Sequence, residues 1–314
     1  MSTLYIVIPC YNEQEVLPEA AARISGKLER LIVAGLCGEQ SRILFVDDGS
    51  TDRTWALIEE QHASNPRICG LKLSRNRGHQ NALLAGLMTA KEQADVTISM
   101  DADLQDDIEV MDEFLTHFRD GCDVVYGVRK RRDTDTAFKR ATAQGFYKFM
   151  KVLGVDVVYN HADYRLMSRR ALEGLSEYHE VNLFLRGIVP QIGYRSANVY
   201  YDRAERLAGE SKYPLRKMIQ FAMDGITSFS VRPIRIISNL GIVISLLSVL
   251  GFVYALCSKI FGFTAPGWTA IICSIWLIGG IQLFCIGIIG AYIGKIYSET
   301  KARPKYIIET FLKR

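Results

Sequence analysis

The chain has 314 residues, enough for one large domain and an appendage, and 49% of them are hydrophobic, which is high for a soluble protein. A net charge of +4 is too small to argue for nucleic acid as a partner, though it does not oppose contact with anionic lipid or phosphate. The seven cysteines (Cys10, Cys37, Cys69, Cys122, Cys257, Cys273 and Cys285) lie too far apart for the close pairs of zinc or redox motifs, and read as small reduced apolar residues.

From Leu4 to about Val128, short apolar runs alternate with stretches of helical spacing, the pattern of a parallel sheet covered by helices. Strands are expected at Leu4–Pro9, Arg42–Val46, Ile68–Leu73, Val96–Met100 and Asp123–Gly127. Helices are expected between them at Glu13–Ala34, Asp52–Asn65, Gly78–Lys91 and Ile108–Arg119, with Ser50 or Thr51 placed to cap the second. Beyond Gly127 the pattern is less regular, with helices expected at Ala137–Leu153 and Arg169–Leu175 and a strand near Tyr194–Tyr201. The amino terminus runs straight into the first strand without a basic leader or a cleavable apolar segment, so the large domain is expected to stay in the cytoplasm.

Tyr213–Ser230 is amphipathic at the helical period, with Leu215, Met218, Ile219, Ala222, Ile226 and Phe229 on one side. Such a helix lies in a lipid headgroup layer or buries its stripe against a sheet; its place beside an apolar span favours the first. Ile236–Ser258 has no charged residue over 23 positions and Trp268–Gly294 none over 27, where about 20 apolar residues cross a bilayer. Two spanning helices are expected, the alternative being two core helices of a soluble domain. Arg232 and Arg235 precede the first and Lys295, Lys301, Arg303 and Lys305 follow the second, whereas the connection 259–267 has one Lys, so both termini are expected to be cytoplasmic.

The chemistry-bearing residues gather at strand ends. Asp101-Ala102-Asp103-Leu104-Gln105 follows the fourth strand, at the carboxyl edge where open α/β sheets bind ligands. Alternate residues of an extended segment point the same way, so Asp101 and Asp103 are placed to chelate Mg²⁺ or Mn²⁺, with the Gln105 amide oxygen as a third ligand. An acidic solvated turn has the same composition, since Asp106, Asp107 and Glu109 follow. Pro9-Cys10-Tyr11-Asn12-Glu13 and Asp47-Asp48-Gly49-Ser50 end the first two strands, where acids accept hydrogen bonds from a base and a ribose. The second of these is equally the composition of a turn before a helix cap. Arg75 and the helix amino terminus near Gly78-His79-Gln80 are suited to hold a phosphate, although a solvated loop before a helix has the same composition, and His79 itself reads as a polar packing residue. Basic groups stand at Arg129-Lys130-Arg131-Arg132, at Arg165 beside Asp163, and at Arg203, Arg206 and Lys212. Such runs are commonly solvated faces, yet Arg suits bidentate phosphate recognition and one run precedes the interfacial helix.

With these motifs assembled, the chain resembles the polyprenyl-phosphate glycosyltransferases of the GT-A fold, the group of dolichyl-phosphate mannose synthase and the bacterial bactoprenol glucosyltransferases. The resemblance rests on Ile8-Pro9-Cys10-Tyr11-Asn12-Glu13, Val46-Asp47-Asp48-Gly49-Ser50, Asn76-Arg77-Gly78-His79-Gln80, Asp101-Ala102-Asp103-Leu104-Gln105-Asp106, Asp163-Tyr164-Arg165 and Ala208-Gly209-Glu210-Ser211-Lys212-Tyr213. It implies an α/β, Rossmann-like GT-A fold with a mixed, mainly parallel sheet flanked by helices. An interfacial amphipathic helix and two transmembrane helices would follow. The implied division is a cytoplasmic catalytic domain over 1–212, a juxtamembrane helix over 213–233, the two spans over 234–294 and a cytoplasmic tail over 295–314.

By resemblance, Pro9, Tyr11, Glu13, Asp48, Gln80 and Asp101 line the nucleotide-sugar pocket, and Asp101, Asp103 and Gln105 hold the metal. Arg129, Arg206 and Lys212 approach the acceptor phosphate, and Asp103, Asp163 and Arg129 carry catalysis, with Asp163 a general base or an orienting residue. The implied reaction is inverting transfer of a hexose, first of all glucose from UDP-glucose, to undecaprenyl or another polyprenyl phosphate at the cytoplasmic membrane face, for cell-envelope glycosylation. Homo-oligomers, tetramers among them, occur in that group. A glycosyltransferase acting on diacylglycerol, a processive synthase and a non-enzymatic membrane scaffold are the rival readings. Asp107-Ile108 replaces a common Pro-Pro, which bears on the rigidity of that loop.

Overall fold

The computed structural model describes residues 1–129, 161–180, 184–202 and 267–313, with scattered positions between 234 and 257. The expected helix Ala137–Leu153, the amphipathic stretch Tyr213–Ser230 and most of the first apolar span lie outside them. So do Lys130, Arg131, Arg132, Arg206 and Lys212.

The chain divides into two compact units, one comprising Met1–Tyr147, Val157–Tyr213 and Arg303–Arg314, the other Lys148–Asp156 and Pro214–Ala302. The first unit is built on an eight-stranded sheet. Its elements in chain order are β1 (Leu4–Cys10), α1 (Leu17–Val33), β2 (Arg42–Asp47), α2 (Thr54–Ser64), β3 (Ile68–Leu73), α3 (His79–Lys91) and β4 (Val96–Ser99). A 3-10 turn (Ile108–Val110) leads into α4 (Met111–Arg119), followed by β5 (Val124–Arg129), β6 (His161–Ser168), α5 (Arg169–Ser176), α6 (Leu185–Ile188) and β7 (Ser196–Tyr201). The last strand, β8 (Ile308–Leu312), returns from the far end of the chain.

The strands run in the order β7-β5-β6-β4-β1-β2-β3-β8. Only β6 and β8 run against the rest, β6 between β4 and β5 and β8 along the edge of β3. Helices cover both faces, which is why the first strands read as continuous apolar runs rather than alternating ones. Ile24 and Leu28 of α1, Ile58 of α2 and Phe114 of α4 bury against Ile6, Ile8, Ile43 and Phe45. The other face carries α3, where Gly86 sits so close to Val7 and Val46 that an added Cβ would come within 2.5–2.6 Å of their methyls. A larger residue there would push the helix off the sheet.

The expected second helix begins at Thr54, and neither Ser50 nor Thr51 caps it: its N-cap position is Arg53, without a side-chain cap bond. Ser50 is instead engaged by the β1–α1 loop, its Oγ accepting from Asn12 N at 3.0 Å, and Asp52 Oδ1 accepts from Thr54 N at 2.9 Å. Asp107, where a proline is common, stiffens its loop by other means. Its carboxylate accepts from Glu109 N and its carbonyl from the Tyr164 hydroxyl.

In the second unit the helix α7 (Trp268–Lys301) is 34 residues long. Its stretch Ile278–Lys301 is apolar and long enough to cross a bilayer, the one such helix among the described residues. Ile275, Leu283, Ile286 and Ile293 along it are exposed. Of the two expected spans, this one is described as a helix.

Candidate functional site

β1 and β2 are in register to their ends, with Cys10 paired to Asp47, so the two following loops start level and lace together. Asn12 takes a left-handed conformation (φ 55°) that lets its side chain accept from Thr51 N at 2.9 Å, while Glu13 N donates to Thr54 Oγ1 at 2.9 Å. A third loop joins through Asp48, whose carboxylate accepts from Arg77 N at 2.7 Å and Gly78 N at 2.8 Å. Gly49 is required between them: its φ is +67°, and an added Cβ would lie 2.6 Å from the backbone of Arg75 and Asn76. Burial pushes the Asp48 carboxyl up, and the two backbone hydrogen bonds oppose that rise. Around this cradle Pro9 is buried, Glu13 is half-buried and Tyr11 is exposed. Burial also pushes the Cys10 thiol well up, so it is an inert core residue.

After β4, Ala102 and Leu104 bury into the core while Asp101 and Asp103 stay partly exposed, the alternation expected of an extended segment. Leu104 (φ 54°) then turns the chain, and Gln105 N donates to Asp103 Oδ1 at 3.2 Å. Gln105 and Asp106 are buried beyond the turn. Asp101 has its pKa raised to about 6 by burial and by the charges of Asp106, Asp163 and Asp103, against the pull of His79. Among the described residues no group of three or more His, Cys, Asp and Glu is arranged to hold a metal ion.

β6 sets the next group in place. Its antiparallel register with β4 pairs Ser99 with Arg165, which continued by two residues brings Asp163 level with Asp101. His79 Nε2 stands 3.4 Å from Asp163 Oδ2 and 3.6 Å from Asp101 Oδ1. Asp163 also accepts from Arg165 Nη2 at 2.6 Å, from Gln80 Nε2 at 3.1 Å, and from Arg186 Nε and Nη2 at 3.3 and 3.1 Å. Burial alone would raise this carboxyl, but the His79 contact and the two guanidinium charges outweigh it and hold it well below the usual carboxylate range. His79 is shifted the other way: the same acids overcome its burial and raise its pKa. The other end of the Gln80 amide accepts from Leu185 N at 3.2 Å, tying α6 to the site.

Arg129 ends β5 beside Asp106. Its Nη2 donates to Asp106 Oδ1 at 3.2 Å and its Nε to the Tyr201 hydroxyl at 3.3 Å, and that hydroxyl in turn donates to Asp106. The second oxygen of Asp106 is buried without a hydrogen-bond partner among the described residues.

The fold thus gathers Asp101, Asp163 and Gln80 into one polar cluster, Asp163 and Gln80 directly hydrogen-bonded and Asp101 reached through His79, and sets Asp103 and Arg129 in the adjoining turn and strand end. Pro9, Tyr11, Glu13 and Asp48 stand at the neighbouring β1 and β2 ends. Two members of the cluster were not anticipated. The sequence reads His79 as a polar packing residue, and nothing in it marks Arg186, which lies in the short helix α6.

The description "Glycosyl transferase family 2" matches residues 5–176. The "Uncharacterized glycosyltransferase YkoT" of Bacillus subtilis (strain 168) is 56% identical over 98% of this chain and 91% of its own length. The "Prophage bactoprenol glucosyl transferase homolog" of Escherichia coli (strain K12) is 39% identical over 97% of each chain. The "Bactoprenol glucosyl transferase" of Shigella phage SfV is 38% identical, again over 97% of each.

Proposed function

Since the chain belongs to glycosyl transferase family 2, we propose that it moves one hexose from a nucleotide diphosphate sugar to a polyprenyl phosphate at the cytoplasmic face of a membrane. Glucose from UDP-glucose is the first choice of donor, and undecaprenyl phosphate the first choice of acceptor. The observation that carries the reading is the near full-length likeness to relatives named as bactoprenol glucosyl transferases. The apolar helix α7 and the cationic flanks of both apolar stretches support membrane attachment by two spans, with both termini cytoplasmic.

In this reading an oxygen of the acceptor phosphate attacks the anomeric carbon as the bond to the nucleotide diphosphate breaks, and the electron pair leaves with the diphosphate. Configuration inverts. A phosphate monoester with a second pKa near 6 is mostly dianionic at about pH 7, so no strong base is needed. Asp163, with Arg165, Arg186 and Gln80 all donating to it, then serves as an orienting anchor rather than as a base. Positioning and charge stabilisation supply the rate.

The pair Asp101 and Asp103, with Gln105 as a further oxygen ligand, would hold Mg²⁺ or Mn²⁺. The fit rests on a donor set of oxygen only and on an Asp101 whose ionised form is disfavoured by its own surroundings, a cost that a cation would relieve. When bound, such an ion neutralises the diphosphate leaving group. Pro9, Tyr11, Glu13, Asp48 and Gln80 would border the nucleotide sugar, and Arg129, Arg206 and Lys212 the acceptor phosphate. Assembly as a homo-oligomer, a tetramer for example, is part of the same reading.

The test uses the purified full chain in detergent with Mn²⁺, a panel of nucleotide sugars and either undecaprenyl phosphate or diacylglycerol, and reads the lipid product by mass spectrometry. A hexosyl phosphoryl polyprenol is expected. Sugar on diacylglycerol alone, or no product together with no binding of UDP, overturns the proposal.

A further inference from the structure

Two guanidinium groups of this site are prepared in the same manner. Arg129 is fixed through Nε and Nη2 by Tyr201 and Asp106, and Arg186 through Nε and Nη2 by Asp163. In each, Nη1 has no protein partner among the described residues. Each stays open to solvent, the side chains being 24% and 39% exposed, whereas Arg165, the other cation on Asp163, is 2% exposed and spends its second nitrogen on the Leu185 carbonyl. Arg165 is therefore framework.

Arg129 and Arg186 are also close enough for the charge of the first to work against that of the second, while the charge of Asp101 favours it. The acid partner of each outweighs that repulsion, so both stay cationic, and each keeps a donor edge without a partner among the described residues, the arrangement in which two guanidinium forks share one anion. Neither arginine can relax away, because each is pinned by an acid that is itself buried.

We propose that Arg186 and Arg129 together bind one phosphate dianion, the headgroup of the acceptor, and that Arg186 is a substrate-binding residue rather than part of the Asp163 scaffold. The inference rests on the acceptor being a phosphate monoester. Guanidinium forks suit its oxygens, and a pair of them selects a dianion over a neutral hydroxyl.

The test measures, by calorimetry on the full chain in detergent, binding of farnesyl phosphate, of inorganic phosphate and of neutral farnesol, with UDP and Mn²⁺ titrated in parallel. Arg186→Gln is expected to weaken farnesyl phosphate binding ten- to hundredfold and to abolish competition by inorganic phosphate, leaving UDP affinity within twofold of wild type. The unchanged UDP affinity also certifies the fold. Arg186→Lys is expected to recover part of the loss, and Arg129→Gln to mimic it. Wild-type farnesyl phosphate affinity in Arg186→Gln overturns the proposal; so does an equal loss for UDP, which would assign Arg186 to the donor diphosphate. A wild-type chain that binds farnesyl phosphate through Arg186 yet transfers no sugar removes the proposed reaction and leaves the anion site standing.

Discussion

Asp163 and Arg165, two residues apart on β6, form a buried ion pair at 2.6 Å, both side chains being almost fully withdrawn from solvent. Removing one partner of such a pair strands the other charge, at a cost of about 3–5 kcal/mol. Asp163→Ala is expected to lower stability by that order and to release Arg186 as well. Urea unfolding monitored by fluorescence checks it; a midpoint within error of wild type would show the pair to be dispensable. Loss of turnover in that variant would accordingly report a collapsed anchor before it reported a missing base.

Asp103→Ala is expected to keep the fold, because Asp103 is partly exposed and its bond with Gln105 N lies within one turn. Turnover is expected to fall by at least about a hundredfold and to lose its dependence on Mg²⁺ or Mn²⁺ concentration, as removal of a metal-holding carboxylate requires. Titrating the metal against initial rate tests this, and ordinary rates at ordinary Mg²⁺ would refute the metal assignment.

Lys27 of α1 is buried (2% exposed) and bonded to the exposed carboxylates Glu109 and Asp112 at 2.7 and 2.8 Å. The hydrogen bond from Lys27, with the charges of Lys27 and Arg30, holds Glu109 below the usual glutamate range against the opposing effect of burial. A depressed carboxyl contributes stability above the unfolded pKa, about 4.3, and that contribution disappears as pH falls through the folded value. Wild type should therefore lose stability on going from pH 6 to below pH 4. Lys27→Met should be less stable at pH 6 by roughly 1 kcal/mol and lose less on acidification, since both acids are solvated and the pair is discounted accordingly. Parallel slopes of urea midpoint against pH for the two proteins would disprove the linkage.

β8 closes the outer edge of β3, with Lys72 paired to Glu309 and Ser74 N donating to the Ile307 carbonyl at 3.0 Å. Ending the chain after Lys305 is expected to lower the thermal midpoint by several degrees and to promote concentration-dependent aggregation, because β3 is left as an open apolar edge. Differential scanning fluorimetry and light scattering check it, and an unchanged midpoint with a monodisperse sample would show that the strand is ornamental.

The first five strands and four helices were legible because burial on both faces leaves unbroken apolar runs such as Leu4–Cys10. β6 was not, since Asp163 and Arg165 interrupt its apolar pattern; the strand is buried only because those two charges neutralise each other in space. β8 escaped for a different reason: Ile308–Leu312 is short and half polar, and its partner lies more than two hundred residues upstream. The acids of the site were legible as strand-end clusters, because their position after apolar runs fixes where the sheet delivers them. Arg186 was not, as nothing local marks a residue whose role arises from the approach of α6 to β6 through Gln80 and Asp163.

The return of β8 to the sheet bears on how the intervening polypeptide can traverse a lipid layer. Residues before 202 and after 307 are woven into one sheet, so the segment joining them must depart from and come back to the same compartment. In the proposed membrane-bound reading, a crossing by α7 would then be matched by a second in the opposite direction.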